Sequence, residues 1–223
     1  MRPMMLPILT YFSQRGRAEL IRLVCADADI AHEEKGLGLY HPVDKTPAFD
    51  ALKATGSLPF DAVPLWEEAD GFRLAQSNAI VRHLARTHDR YGHGAREAAR
   101  CDMILESVEE TRLELRKIVI TEVAKRAELR GELAGVTIPR WLARFERLLV
   151  AGGAGAGFIV GEGASFADLA LFLLYENLRD NGFAATYASC PHLAAHAERM
   201  AARPDLARYL ASPARFPVQL LPA

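Results

Sequence analysis

The chain has 223 residues with a formal net charge of −1; half are hydrophobic and a quarter charged. That is long enough for one large domain or two small ones with cores of their own. The arginines are dispersed and mostly neighbour glutamates, so they read as solvated helix faces and leave no reason to expect nucleic acid as a partner.

Three scattered cysteines, Cys25, Cys101 and Cys190, show neither a CxxC nor a metal spacing. Cys25 and Cys101 fall in apolar helical patterns and read as buried, inert thiols. Their odd number points to a reducing compartment. The opening MRPMMLPIL lacks the long apolar core of a secretory leader, and no apolar run reaches membrane-spanning length. The expectation is a cytoplasmic protein without a membrane partner.

In chain order, Leu6 to Tyr11 reads as a strand and Arg17 to Ala28 as a helix with Ala18, Ile21 and Cys25 on one face. A weakly marked strand lies near Ile30 to Lys35. A short helix opens at Thr46-Pro47, with proline at the first helical position, and stops at Gly56. Val63 to Glu67 and Phe72 to Ala75 flank the turn signal Asp70-Gly71 and predict a hairpin. Ser77 then caps a helix carrying Ile80, Val81, Leu84 and Ala85.

The stretch His88 to Gly94 reads as a linker, and everything after it as helical. One long helix is expected from Ala95 to about Ala127, and another opening at Thr137 and Pro139 with Trp141, Leu142, Phe145 and Leu148. AGGAGAG, residues 151–157, is a flexible connector; without a Lys-Ser/Thr ending it is no phosphate loop. Ser165 and Asp168 form a structural capping box at the head of a helix apolar on nearly all sides.

Two strand-to-helix junctions carry the chemistry. Tyr11 stands at the first, before Gly16-Arg17, and Gln76-Ser77 at the second. Helix N-termini offer free N–H groups and a positive dipole end, which suit an anionic ligand. A tyrosine beside them can donate a hydrogen bond to a developing anion. Together they suggest an enzyme that handles a small, negatively charged thiol.

Four separated motifs, YFxxRGRAE, VPL…DG…LAQSNAI, FIVGxxxSFAD and ARPDLxxYLASP, occur in an order and spacing that resemble the tyrosine-type cytosolic glutathione transferases. The likeness runs along the whole chain, nearest to the pi class, with alpha and sigma next. The resemblance implies an α/β, thioredoxin-like N-terminal domain (residues 1–88) that binds glutathione, followed by an all-helical C-terminal domain (94–223) that completes the electrophile pocket.

By similarity, Tyr11 is the catalytic tyrosine that holds glutathione as its thiolate. Ser13 is the rival donor, since related transferases use a serine near this place. No cysteine occupies the turn, which argues against an omega-type thiol exchanger. Gln76 and Ser77 match the pair receiving the γ-glutamyl carboxylate, and Val63 would pair its backbone with the cysteinyl peptide. Pro64 would be the family's cis proline. Arg17 and Lys53 are the cations for the glycyl end; Lys53 fits the alpha-type loop directly and the pi pattern only with a small gap. Glu110 aligns with the acid that reaches the γ-glutamyl amine across a homodimer interface, and otherwise reads as a surface glutamate. Phe60 would be the aromatic key of that interface, with its lock near Met103, Ile104 and Ser107. Phe12, Gln14, Ile120 and the run from Phe216 to Leu221 are expected to line the electrophile pocket.

Two departures stand out. Ala62 replaces a pi-type glutamine, and the loop tryptophan is absent, with Phe49 the nearest aromatic. Glutathione is implied as co-substrate, with no metal, and a small hydrophobic electrophile as the second partner. A glutathione-dependent isomerase or peroxidase, or a non-catalytic protein on the same fold, is the alternative.

Overall fold

A computed structural model describes residues 5–40, 46–152, 157–218 and 220–222. Residues 1–4 of the opening segment and residues 153–156 of the glycine-rich connector lie outside the described residues. The short runs of Leu, Ile, Tyr and Trp in the first third form a sheet. In it β1 (Ile8–Tyr11) pairs in parallel with β2 (Glu33–Gly36) and antiparallel with β3 (Leu65–Glu67), which pairs antiparallel with β4 (Arg73–Ala75). The order is β2-β1-β3-β4. β2 reads weakly in the sequence because it is an exposed edge strand with no apolar face to advertise it.

A 3-10 turn at Gly16–Ala18 leads into α1 (Glu19–Asp27), whose Leu20, Ile21, Leu23 and Val24 are buried. α2 (Pro47–Ala54) begins with its proline in the first turn, as expected. The β3–β4 turn is closed by Gly71 at φ +93° and by Asp70 Oδ1 accepting the Phe72 N–H at 2.9 Å. α3 (Ser77–Thr87) then packs its Ile80, Val81, Leu84 and Ala85 face toward α1.

The helical part holds α4 (Gly94–Ile120), α5 (Val123–Glu132), α6 (Ile138–Ala151), α7 (Phe166–Leu178) and α8 (Pro191–Ala201). Here two sequence expectations need correction. The long helix breaks at Thr121–Glu122, where ψ opens to 142° and 139°. The break follows Ile118-Val119-Ile120-Thr121, a β-branched run that loses side-chain freedom in a helix. Thr137 and Pro139 do stand at the start of α6, but not at a free helix end, because a wide turn at Leu133–Thr137 carries the helical path there from α5. Pro139 has no N–H to donate, and a widened turn just before it tolerates that loss.

The capping box at Ser165 is present. Asp168 accepts the N–H groups of Ser165 (2.9 Å) and Ile159 (2.7 Å) and meets His196 Nε2 at 3.0 Å, so its buried carboxylate is fully engaged as a structural brace.

The described residues form two compact units, one within Met1–His88 and Pro204–Gln219, the other within Asp89–Arg203 and Leu220–Ala223. The sequence reading places everything after residue 94 with the helices. Instead α9 (Pro204–Leu210) packs on α1, in the first unit. The tie is Glu19, wholly buried on α1, which accepts the Tyr209 hydroxyl at 3.1 Å and Arg215 Nε at 2.8 Å. No described helix is long and apolar enough to cross a membrane.

Candidate active site

The sheet register brings three chain segments to one end. Thr10 pairs with Leu65 and Leu65 with Ala75, so Tyr11, Pro64 and Gln76 come next on three adjacent strands. The Val63–Pro64 bond is cis. Two strand spacings separate Tyr11 from Gln76, roughly 10 Å. An extended tripeptide spans about the same distance.

Tyr11 is 6 % exposed, and its hydroxyl oxygen accepts the Arg17 backbone N–H at 3.0 Å. Gly16 (φ +44°) lies so close that a Cβ on it would stand 2.6 Å from that oxygen. The turn between them is braced from below by Arg22, which donates to the carbonyls of Gln14 (3.0 Å) and Arg15 (3.3 Å). Arg22 itself is only 3 % exposed, and it grips Glu34 at 2.6 and 3.2 Å and Glu19 at 3.5 Å. Burial opposes its charge, but the two carboxylates outweigh this and raise its pKa. The reading of the arginines as solvated faces is therefore wrong for Arg22. The Glu19–Arg22 spacing of three was the signal that it missed.

Gln76 has φ 71° and ψ 111°, a conformation that favours glycine and costs other residues on the order of 1–3 kcal/mol. It turns the chain from strand to helix, its carbonyl accepts the Ile80 N–H at 3.0 Å, and the buried Ser77 follows as the first residue of α3. The first N–H groups of this helix have no intrahelical partner. Nothing in the sequence announces the strained backbone at Gln76.

α2 is held near the same end of the sheet, because Phe49, Leu52 and Val63 pack on the cluster of Leu58, Leu65 and Ala75. It carries the exposed Lys53, whose Nζ lies 5.6 Å from the Phe49 ring centroid. Arg17 is half-buried. Phe49 also meets Phe12 edge-on at 5.1 Å, and Phe12 meets Tyr11 at 5.4 Å. Ser13 donates its N–H to the Gly38 carbonyl at 2.8 Å, and its Oγ is turned against Gly36 on the edge strand.

The expected pocket residues are divided between the two units. Gln14 is buried, with Oε1 accepting the Tyr40 N–H at 3.3 Å, so it acts as a brace. Phe216 presents its carbonyl to Arg15 Nε at 2.8 Å and lies 4.6 Å beneath the Arg22 guanidinium, in the first unit. Leu221 donates its N–H to Asn181 Oδ1 at 2.6 Å, in the second. Ile120 is exposed at the end of α4, and Glu110 is exposed on the same helix.

Family models for the glutathione S-transferase N-terminal and C-terminal domains match residues 7–86 and 109–213. Glutathione S-transferase P 1 of Bufo bufo is 35 % identical over 211 residues, covering 92 % of each chain. The chain belongs to the glutathione S-transferase family. Glutathione S-transferase alpha-2 of Rattus norvegicus is 32 % identical, over 92 % of this chain and 87 % of its own. The solved pi-class glutathione S-transferase of Onchocerca volvulus matches with a TM-score of 0.78 at 30 % identity, covering 92 % of both chains. This transferase is thus an enzyme that conjugates glutathione, built from a thioredoxin-like N-terminal part and a helical C-terminal one. The sheet end formed by Tyr11, Pro64 and Gln76 lies within the match to the N-terminal domain.

Proposed function

We propose that this transferase activates glutathione through Tyr11 and passes the sulfur to small hydrophobic electrophiles. The observation that carries the reading is the Arg17 N–H on the Tyr11 oxygen at 3.0 Å. With that lone pair engaged and the oxygen polarised, the hydroxyl hydrogen is left to point at the bound sulfur and donates the more strongly. Donation to the sulfur favours thiolate over thiol. A free thiol titrates near ~8.5, and a fall of about two units corresponds to roughly 2.7 kcal/mol. The thiolate then forms the C–S bond at the electrophilic carbon.

In this reading Gln76 and Ser77 take the γ-glutamyl carboxylate at the start of α3, and the Val63 backbone takes the cysteinyl peptide. Arg17 and Lys53 face the glycyl carboxylate. The enzyme works as a cytoplasmic homodimer, with Glu110 reaching the neighbouring subunit's γ-glutamyl amine. Phe60, 67 % exposed, is free to serve as the key of that interface. Met103 and Ser107 remain as its lock. Ile104 drops out, since it is 1 % exposed and turned into its own core. Phe12 and Ile120 supply apolar surface for the electrophile.

The test is conjugation activity across a panel of electrophiles and peroxides, measured for the unmodified enzyme, Tyr11→Phe and Ser13→Ala. The proposal expects Tyr11→Phe to lose most of the conjugation rate and Ser13→Ala to keep it. The reverse order would make Ser13 the donor, and peroxide turnover without conjugation would overturn the substrate class.

A further inference from the structure

The turn that presents its N–H to Tyr11 is held from the far end of the chain. Arg17, whose N–H reaches the Tyr11 oxygen, has Arg15 two residues before it and Glu19 two residues after. Both side chains are fastened to the C-terminal run that returns to the first unit. Arg15 Nε donates to the Phe216 carbonyl at 2.8 Å. Glu19 accepts Arg215 Nε on Oε1 at 2.8 Å and the Tyr209 hydroxyl on Oε2 at 3.1 Å. Arg215 and Tyr209 also lie against each other, with the guanidinium 5.5 Å from the ring centroid.

The Glu19 carboxylate is wholly buried, and the Arg215 side chain is only 6 % exposed. Burial and the Glu19 charge push the Tyr209 phenol up, so it stays protonated and donates. One atom joins this cluster to the turn. Arg22 Nη1 lies 3.0 Å from the Gln14 carbonyl, 3.3 Å from the Arg15 carbonyl and 3.5 Å from Glu19 Oε2. It has fewer hydrogens than acceptors, so these contacts compete. The Glu19 contact is the longest, and that carboxylate has closer donors in Arg215 and Tyr209. A buried carboxylate that loses a donor draws the nearest cation to itself. Here that cation is Arg22, and the Gln14 and Arg15 carbonyls are what it would release.

On the reading that Tyr11 is the thiolate donor, we infer that Arg215 and Tyr209 are positioning residues for it. By satisfying Glu19 they leave Arg22 to the Gln14 and Arg15 carbonyls, which seats the Arg17 N–H on the Tyr11 oxygen. Neither lies at the sheet end formed by Tyr11, Pro64 and Gln76; both act through Glu19 and Arg22. With the turn slack, the phenol loses its fixed partner and donates less well to the sulfur. The bound thiol then titrates higher, while the γ-glutamyl end at Gln76 and Ser77 keeps its hold.

The test is the pKa of glutathione's thiol bound to the full-length transferase, read from thiolate absorbance, together with kcat and KM. Arg215→Met should raise that pKa by about one unit, roughly a tenfold loss of thiolate at a pH below the bound value. There kcat should fall by up to about tenfold, while KM for glutathione changes about twofold or less. Arg215→Lys keeps the buried cation and should recover most of the shift, which a general loss of stability would not explain. Tyr209→Phe keeps the ring and withdraws one neutral donor, so it carries the test if Arg215→Met does not fold; it should raise the thiol by about half a unit. Combined with Tyr11→Phe, neither variant should add a further shift, because groups in one network do not act additively. A thiol unmoved by Arg215→Met and Tyr209→Phe, while Tyr11→Phe moves it, would overturn the proposal and leave Tyr11 as the donor. Shifts that add in full to that of Tyr11→Phe would overturn it as well. A thiol unmoved by Tyr11→Phe would overturn both readings.

Discussion

The Tyr11 hydroxyl occupies the space where a side chain on Gly16 would begin, 2.6 Å from the position of its Cβ. Gly16→Ala must therefore displace the phenol and also strain a backbone at φ +44°. A misplacement of about 1 Å can cost on the order of 100-fold in rate. Gly16→Ala is expected to lower kcat for conjugation by tenfold or more while changing KM for glutathione much less. Steady-state kinetics check this; a variant with unchanged kcat would mean that the contact does not matter.

Much of this arrangement was legible in the sequence, for reasons that differ by residue. β1, α2, the Asp70-Gly71 hairpin and the Ser165 capping box announce themselves through local chemistry: a short apolar run, a proline at the helix start, turn residues, and a polar pair three apart. The weak edge strand β2 and the break at Thr121 depend on exposure and on a β-branched run, which a search for apolar periodicity passes over. Long-range features were invisible. The return of α9 to α1 rests on Glu19 meeting Tyr209 and Arg215, nearly two hundred residues away. Gln76 was found by motif, but its backbone conformation was not.

That conformation yields a second prediction. Gln76→Gly relieves the unfavourable φ and should stabilise the fold by roughly 1 kcal/mol, while removing a side chain assigned to the γ-glutamyl carboxylate. Calorimetry should show a raised Tm, and titration a glutathione affinity lowered several-fold. Gln76→Ala with Ser77→Ala should weaken binding further, yet leave the bound thiol's pKa nearly unchanged. Unchanged affinity in the double variant would remove this site from the account.

Arg22 makes a stability prediction with a pH sign. Burial pushes the Glu34 carboxyl up, but His32 and Arg22 outweigh this and hold it below the usual carboxylate range. A group with a depressed folded pKa stabilises the fold above its unfolded value, and that contribution fades as pH falls through the folded one. Arg22→Met takes one partner from the buried Glu19, which keeps Tyr209 and Arg215, and the closest one from the more exposed Glu34, and should cost about 2 kcal/mol at neutral pH. Urea unfolding should find the cost shrinking as pH falls through the lowered folded value of Glu34. A pH-independent cost would point to lost packing alone.

Phe60→Ala should shift the proposed homodimer toward monomer, since a buried aromatic anchor can carry ~2 kcal/mol or more of interface energy. Because Glu110 is assigned to the neighbouring subunit's site, glutathione affinity should fall with dissociation. Sedimentation at low concentration decides it. An undiminished dimer would show that Phe60 is not the key.

The most direct test of the central claim is the pKa of glutathione's thiol when bound, read from thiolate absorbance as pH is raised, in the unmodified transferase and in Tyr11→Phe. The account predicts a bound thiol titrating well below its free value of ~8.5, and a return of about one to two units toward that value when the Tyr11 hydroxyl is removed. An unchanged titration in Tyr11→Phe, with the shift lost in Ser13→Ala instead, would contradict it.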